Sequence, residues 1–199
     1  MLRFWQGEAG TPLDHAQQIR EGHTQHRHDA LGSWVKINHF TTPIPEKPPS
    51  GYHEVLIASE GPLRSLVDPD GNRVSLVAAG THGVRQIGLR MHVRSIAAHQ
   101  RFFRDGFGLL EEPHAEGVAF RAGESLLLVE ERPDAVADSS FEGKGWRLLT
   151  FQVQSVDEEF ARAMSAGGQR IWAPITRGPI RIALLRDPDG NTIELMHRD

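Results

Sequence analysis

The 199 residues are enough to bury a substantial core, in one large domain or two small ones. With 39% hydrophobic and 24% charged residues the composition is that of a globular protein, and a net charge of -4 with no Lys/Arg stripe argues against nucleic acid as a partner. No run of about 18 apolar residues spans a membrane, no cysteine supplies a disulfide or thiolate, and the opening eight residues lack the apolar stretch of a secretory leader, so the cytoplasm is the expected location.

In chain order, the first 30 residues suggest no regular element, and residues 20–29, with His23, His26 and His28, read as a polar loop. Ser33–Phe40 and Tyr52–Ser59 read as strands joined by a proline-rich stretch, residues 42–49. Asp68-Pro69-Asp70-Gly71-Asn72 then sits between an apolar run and an alternating strand. Proline presets the first corner, aspartate bonds its own backbone and glycine tolerates positive φ, so this is a hairpin turn and its aspartates are turn builders. Ile87–Val93 reads as a strand and residues 96–104 as a helix, with Ile96, Gln100, Phe103 and Phe107 at helical spacing and Gly108 closing it. Residues 118–121 and 125–130 read as paired strands, followed by a linker over 133–145.

The pattern restarts at Trp146. Residues 148–153 read as a strand, 156–166 as a helix capped by Gly167-Gly168, and strands are expected around Ile171, over 180–185 and over 192–196. The last two flank Asp187-Pro188-Asp189-Gly190-Asn191, a second copy of the turn. The expected fold is α+β: repeated βαβββ modules forming curved mixed sheets around a cup. Residues 1–83 form an incomplete N-terminal unit, and residues 84–199 two paired modules, 84–133 and 146–199. The opening unit lacks about one strand and one helix, so either the chain starts further upstream or a second subunit covers the exposed edge, and a homodimer is expected.

Val93-Arg94-Ser95-Ile96 running into Phe102-Phe103-Arg104-Asp105-Gly106-Phe107-Gly108-Leu109, and the closing stretch from Arg186 to Leu195, resemble the vicinal oxygen chelate superfamily. That group includes glyoxalase I, extradiol ring-cleaving dioxygenases, methylmalonyl-CoA epimerase and bleomycin-resistance proteins. The resemblance covers residues 84–199 well and 33–80 loosely. It implies a cup between paired modules with a divalent metal (Fe, Zn, Mn or Ni) on its floor, held by His or Gln from each first strand and Glu from a closing strand, and acting as a Lewis acid. Glu194 takes the closing position, but the first-strand positions fall on Gly88 and Leu148, which cannot ligate. In the N-terminal unit they fall on His53, with Ser75 in place of the closing Glu.

Strand alternation puts Arg90 and His92 on the face of Gly88, and Thr150 and Gln152 on that of Leu148. Packed as the resemblance implies, Arg90, His92, Thr150, Gln152 and Glu194 project into one cup, where polar groups need partners or water. Glu194 and His92 are then the candidate catalytic groups. Arg90, Thr150 and Gln152 would bind substrate, and His92, Gln152 and Glu194 would form a shifted metal site. The plainer alternative is an Arg90–Glu194 ion pair and a satisfied core His92. Three functions remain open: a metal-dependent lyase or ring-cleaving dioxygenase acting on a small oxygen-bearing molecule, a metal-free ligand-binding protein of the bleomycin-resistance kind, and a structural remnant.

Overall fold

The computed structural model describes residues 1–136 and 140–198, so the middle of the expected linker, residues 137–139, lies outside the described residues. Among the described residues, fourteen strands and two short α-helices make up an α+β architecture of curved mixed sheets. After a π-helical turn at Phe4–Glu8, a three-stranded antiparallel meander opens the chain: β1 (Leu13–Arg20), β2 (His23–Ala30) and β3 (Ser33–Phe40). The loop expected over residues 20–29 is thus corrected to two paired strands with a turn at Gly22, where φ is 70°. Polar residues occupy both faces of β1 and much of β2, so no apolar alternation announced them; backbone pairing holds them instead.

The seven-stranded sheet follows, in the order β5-β6-β4-β7-β10-β9-β8. It contains β4 (Tyr52–Ser59), β5 (Arg64–Val67), β6 (Arg73–Ala78), β7 (Ile87–Val93), β8 (Leu110–His114), β9 (Gly117–Ala122) and β10 (Ser125–Glu131). Between β7 and β8 lies α1 (Ile96–Gln100), capped by the Ser95 hydroxyl. It widens into a π-helical turn at Arg101–Gly106, which sinks both Phe102 and Phe103 fully into the core. The third sheet, in the order β11-β14-β13-β12, joins β11 (Leu148–Gln152), β12 (Gln169–Arg177), β13 (Ile180–Arg186) and β14 (Thr192–Arg198). Here α2 (Val156–Ser165) is capped by Ser155 and ends on Gly167 at φ 105°, with Gly168 N–H donating to Ala163 O at 2.9 Å.

Both complete modules therefore share the order first–fourth–third–second strand, and each first strand runs parallel to its closing strand. In both Asp-Pro-Asp-Gly-Asn turns the first aspartate's Oδ1 accepts the N–H groups two and four residues on, at 2.8–2.9 Å. One core lies between the two complete modules. Met91, Val93, Phe102, Phe103, Phe120, Leu127 and Val129 from one meet Val156, Ala163, Leu185, Ile193 and Leu195 from the other. A second core packs Trp5 and Val35 from the N-terminal region against Val55, Ile57, Val74 and Leu76. No helix among the described residues is long and apolar enough to cross a membrane.

Candidate functional site

Met91 and Val93 on one side, and Leu149, Phe151, Ile193 and Leu195 on the other, all point into the shared core. Alternation therefore turns Arg90 and His92 outward from one side of that core, and Thr150, Gln152 and Glu194 outward from the other. The single cup expected from the sequence is corrected to two separate faces. The structure does not bring His92 together with Gln152 and Glu194, and Arg90 pairs with Glu54 and Glu130 rather than with Glu194.

On the seven-stranded sheet a β-bulge reshapes the polar cluster. Tyr52 pairs with Met91 and Glu54 with Arg90, leaving His53 as the extra residue; its ring stacks on His92 with centroids 4.0 Å apart. Glu130, wholly buried on β10, lies 3.2 Å from Arg90 Nη1, 3.4 Å from His114 Nε2 and 2.6 Å from Arg132 Nη2. Its other near neighbour is His92 Nε2 at 3.7 Å. Glu54 accepts from Ser75 Oγ at 2.6 Å and sits 3.2 Å from Arg90 Nε, off the line of a good hydrogen bond. With Glu116 also 2.9 Å from Arg132 Nη2, the charges of these two guanidiniums are fully matched by carboxylates. Burial holds the His92 imidazole below its usual pKa, aided by the field of His53, and His53 is lowered by burial and then by Arg73.

The rest of this face is filled. The turn Thr81–Gly83 carries Val84 down among Leu56, Val77, Ala119, Leu126 and Leu128. Arg121 Nη2 donates to Gly83 O at 3.0 Å and pins the turn. A Cβ on Gly88 would lie 2.8 Å from Val84 Cγ2, so a side chain at that first-strand position is excluded by an apolar plug.

The opposite face is assembled from the N-terminal meander and the C-terminal module. Pairing registers align His15, Arg27 and Lys36 across β1, β2 and β3, and Thr150, Glu194, Leu184 and Trp172 across β11, β14, β13 and β12. The strands β3 and β11 are not hydrogen-bonded to each other; Lys36 bridges them. Its Nζ donates to Thr150 Oγ1 at 2.9 Å and to Glu194 Oε1 at 3.1 Å, and Thr150 Oγ1 donates to the same oxygen at 3.1 Å. The Lys36 and Glu194 side chains are each only 15% exposed. Gln152 lies at the exposed end of β11 and takes no part in these bonds.

These residues do not fit the divalent ion that the resemblance implies. Such ions need about three or more N, O or S protein ligands. At Glu194 the carboxylate already faces an ammonium and a hydroxyl, and at position 88 a valine methyl stands in the way. Among the described residues no group of three or more His, Asp or Glu side chains is arranged to hold a metal. Lys36, Arg27, Glu130 and Val84 were not singled out by sequence reasoning. Lys36 carried a usable signal, a cation between Val35 and Ile37 on an alternating strand; Val84 carried none.

Two surface hollows, of about 560 and 350 Å³, lie at neither face: the first is lined by Arg101, Asp105, Arg162 and Gly167, the second by Gln100, Glu111 and Pro113. The profile of the Glyoxalase/Bleomycin resistance protein/Dioxygenase superfamily matches residues 86–195. No curated protein matches the chain by sequence. The crystal structure of a glyoxalase I mutant from Zea mays is 14% identical, with 98% of this chain and 88% of that one covered and a TM-score of 0.80. Glyoxalase I itself from Zea mays gives 14% identity, 98% and 86% coverage, and a TM-score of 0.77. At this identity the likeness is one of fold.

Proposed function

The chain belongs to the Glyoxalase/Bleomycin resistance protein/Dioxygenase superfamily, and from that membership we propose that it is a metal-independent member that binds a small oxygen-bearing organic molecule on the Lys36–Thr150–Glu194 face. One observation carries this reading. Lys36 Nζ, 3.1 Å from Glu194 Oε1, holds the positive charge that a metal ion would otherwise bring to the closing-strand carboxylate. A protonated lysine presents three N–H donors and no acceptor, so it suits the oxygens of a ligand while excluding a second cation from the same carboxylate. The matched charges of the other face favour a structural role there.

The test is elemental analysis of protein purified without added metal, with calorimetric titration of the metal-free protein by pyruvate, glycolate, catechol and benzoate. No stoichiometric metal and saturable binding of at least one of these, weakened by Lys36→Met, are expected. One equivalent of metal that disappears in Glu194→Gln would overturn the proposal and restore the lyase or ring-cleaving reading. A cytoplasmic location and a homodimer belong to the same proposal. The dimer is supported by unpaired edge strands with exposed apolar residues, Val67 on β5 (63%) and Leu110 on β8 (66%). A single sedimenting species of monomer mass at micromolar concentration would remove it.

A further inference from the structure

The meander side of this face holds a buried guanidinium that forms no ion pair with a carboxylate among the described residues. Arg27 is 5% exposed. Its Nε donates to Gln25 Oε1 at 2.9 Å and its Nη2 to Gln17 Oε1 at 3.3 Å, while its plane lies 5.0 Å from the centre of the Trp34 ring. Burial lowers its pKa, the Arg198 guanidinium lowers it further, and the charges of Glu194 and Asp14 raise it. Among the described residues its Nη1 bonds no protein group, yet that atom is not sealed from solvent. Proteins rarely bury a cation on neutral amides alone, because desolvation costs more than two such bonds return.

Lys36 is the register partner of Arg27, so an ammonium with a spare N–H stands beside the free guanidinium edge. Trp34, on the same face, leaves 41% of its surface exposed next to that edge. We propose that this face binds a planar aromatic carboxylate, its oxygens received by Arg27 Nη1 and Lys36 Nζ and its ring laid against Trp34. Arg27, Lys36 and the further Arg198 against Glu194 and Asp14 leave one net positive charge, which suits a monoanion better than a dianion such as phosphate. The exposed indole selects a flat apolar body over an aliphatic one. This inference rests on the metal-independent reading above.

Calorimetric titration of the metal-free full chain with 1-naphthoate tests it, with cyclohexanecarboxylate, 1-naphthalenemethanol and inorganic phosphate as comparisons. Saturable binding of 1-naphthoate, tighter than all three, is expected. Arg27→Met should weaken it about tenfold or more, the scale of a charge-assisted hydrogen bond, while the melting temperature of the unliganded protein stays level or rises. Trp34→Leu should weaken it several-fold, and Arg27→Lys should retain part of the affinity. The inference is overturned by absence of 1-naphthoate binding at millimolar concentration, by equal affinity in Arg27→Met, or by tighter binding of phosphate. Pyruvate or glycolate binding to metal-free protein that ignores 1-naphthoate would defeat this inference alone. Metal bound at Glu194 would instead defeat the reading beneath it.

Discussion

The two outward faces are built to one plan, a complete βαβββ module set beside three further strands, yet they finish differently. On the seven-stranded side β4 hydrogen-bonds directly to β7, the apolar half is plugged by Val84, and Arg90 and Arg132 meet Glu54 and Glu130. On the other side β3 and β11 share no backbone bonds, only side chains bridge them, and cations outnumber the carboxylates that touch them. The contrast teaches that shared topology does not settle which face can receive a ligand. A face whose charges are already neutralised has little left to offer an incoming group, whereas one with a free guanidinium edge does.

The sharpest way to break this contrast is to remove one carboxylate from each face. Glu130→Gln leaves Arg90 and Arg132 without their buried partner and should cost about 3 kcal/mol in denaturant unfolding. Glu194→Gln should cost roughly 1 kcal/mol, because its one cationic partner, Lys36, retains the Thr150 hydroxyl as acceptor and some access to water. Equal losses would mean that the two faces are balanced alike.

The plug is next in size. Gly88→Ala drives a methyl to 2.8 Å from Val84 Cγ2 and should cost about 1–3 kcal/mol. Adding Val84→Ala should recover part of that loss, and a double-mutant cycle measures the coupling. Additive losses would show that Val84 does not fill the floor beside β7.

The smallest effect is in pH dependence. His53 and His92 titrate lower in the folded protein than in the unfolded chain, so protons favour unfolding and stability falls as pH drops below about 6.5. His99 works the other way. Burial opposes its charge, but the hydrogen bond and charge of Asp187 raise its pKa, so its contribution is full below about 6.5 and is lost as pH rises through the folded value. His53→Asn should therefore flatten the acid-side fall in melting temperature, measured between pH 7 and pH 5. An unchanged slope would assign that fall to other groups.

The two Asp-Pro-Asp-Gly-Asn segments show how far local sequence reaches. Their turn bonds are nearly identical, as turn chemistry requires. Yet Asp68 serves its own turn, while Asp187 also lies 3.2 Å from His99 Nε2, and Asp189 accepts from Arg94 N–H at 2.6 Å. Likewise β7, α2 and the Gly167-Gly168 cap that ends it were legible, because period and capping chemistry act within a few residues, whereas the Ser95 and Ser155 caps were not singled out. The meander β1–β2 was not, since its polar strands lack an apolar face to reveal them. The bulge at His53 was also hidden: it depends on the register against β7, about forty residues away.

By itself, then, the order of residues determined the module repeat, the turns, where each helix starts and the side of each strand on which Arg90, His92, Thr150 and Glu194 stand. Only the tertiary structure decided that these four face opposite ways, that Val84 fills the floor beside Gly88, and that Lys36 reaches Glu194 across 158 positions of chain. The reason is range. Backbone preferences and hydrophobic period are settled by neighbours in sequence, whereas charge partners are chosen by how whole sheets pack over a common core.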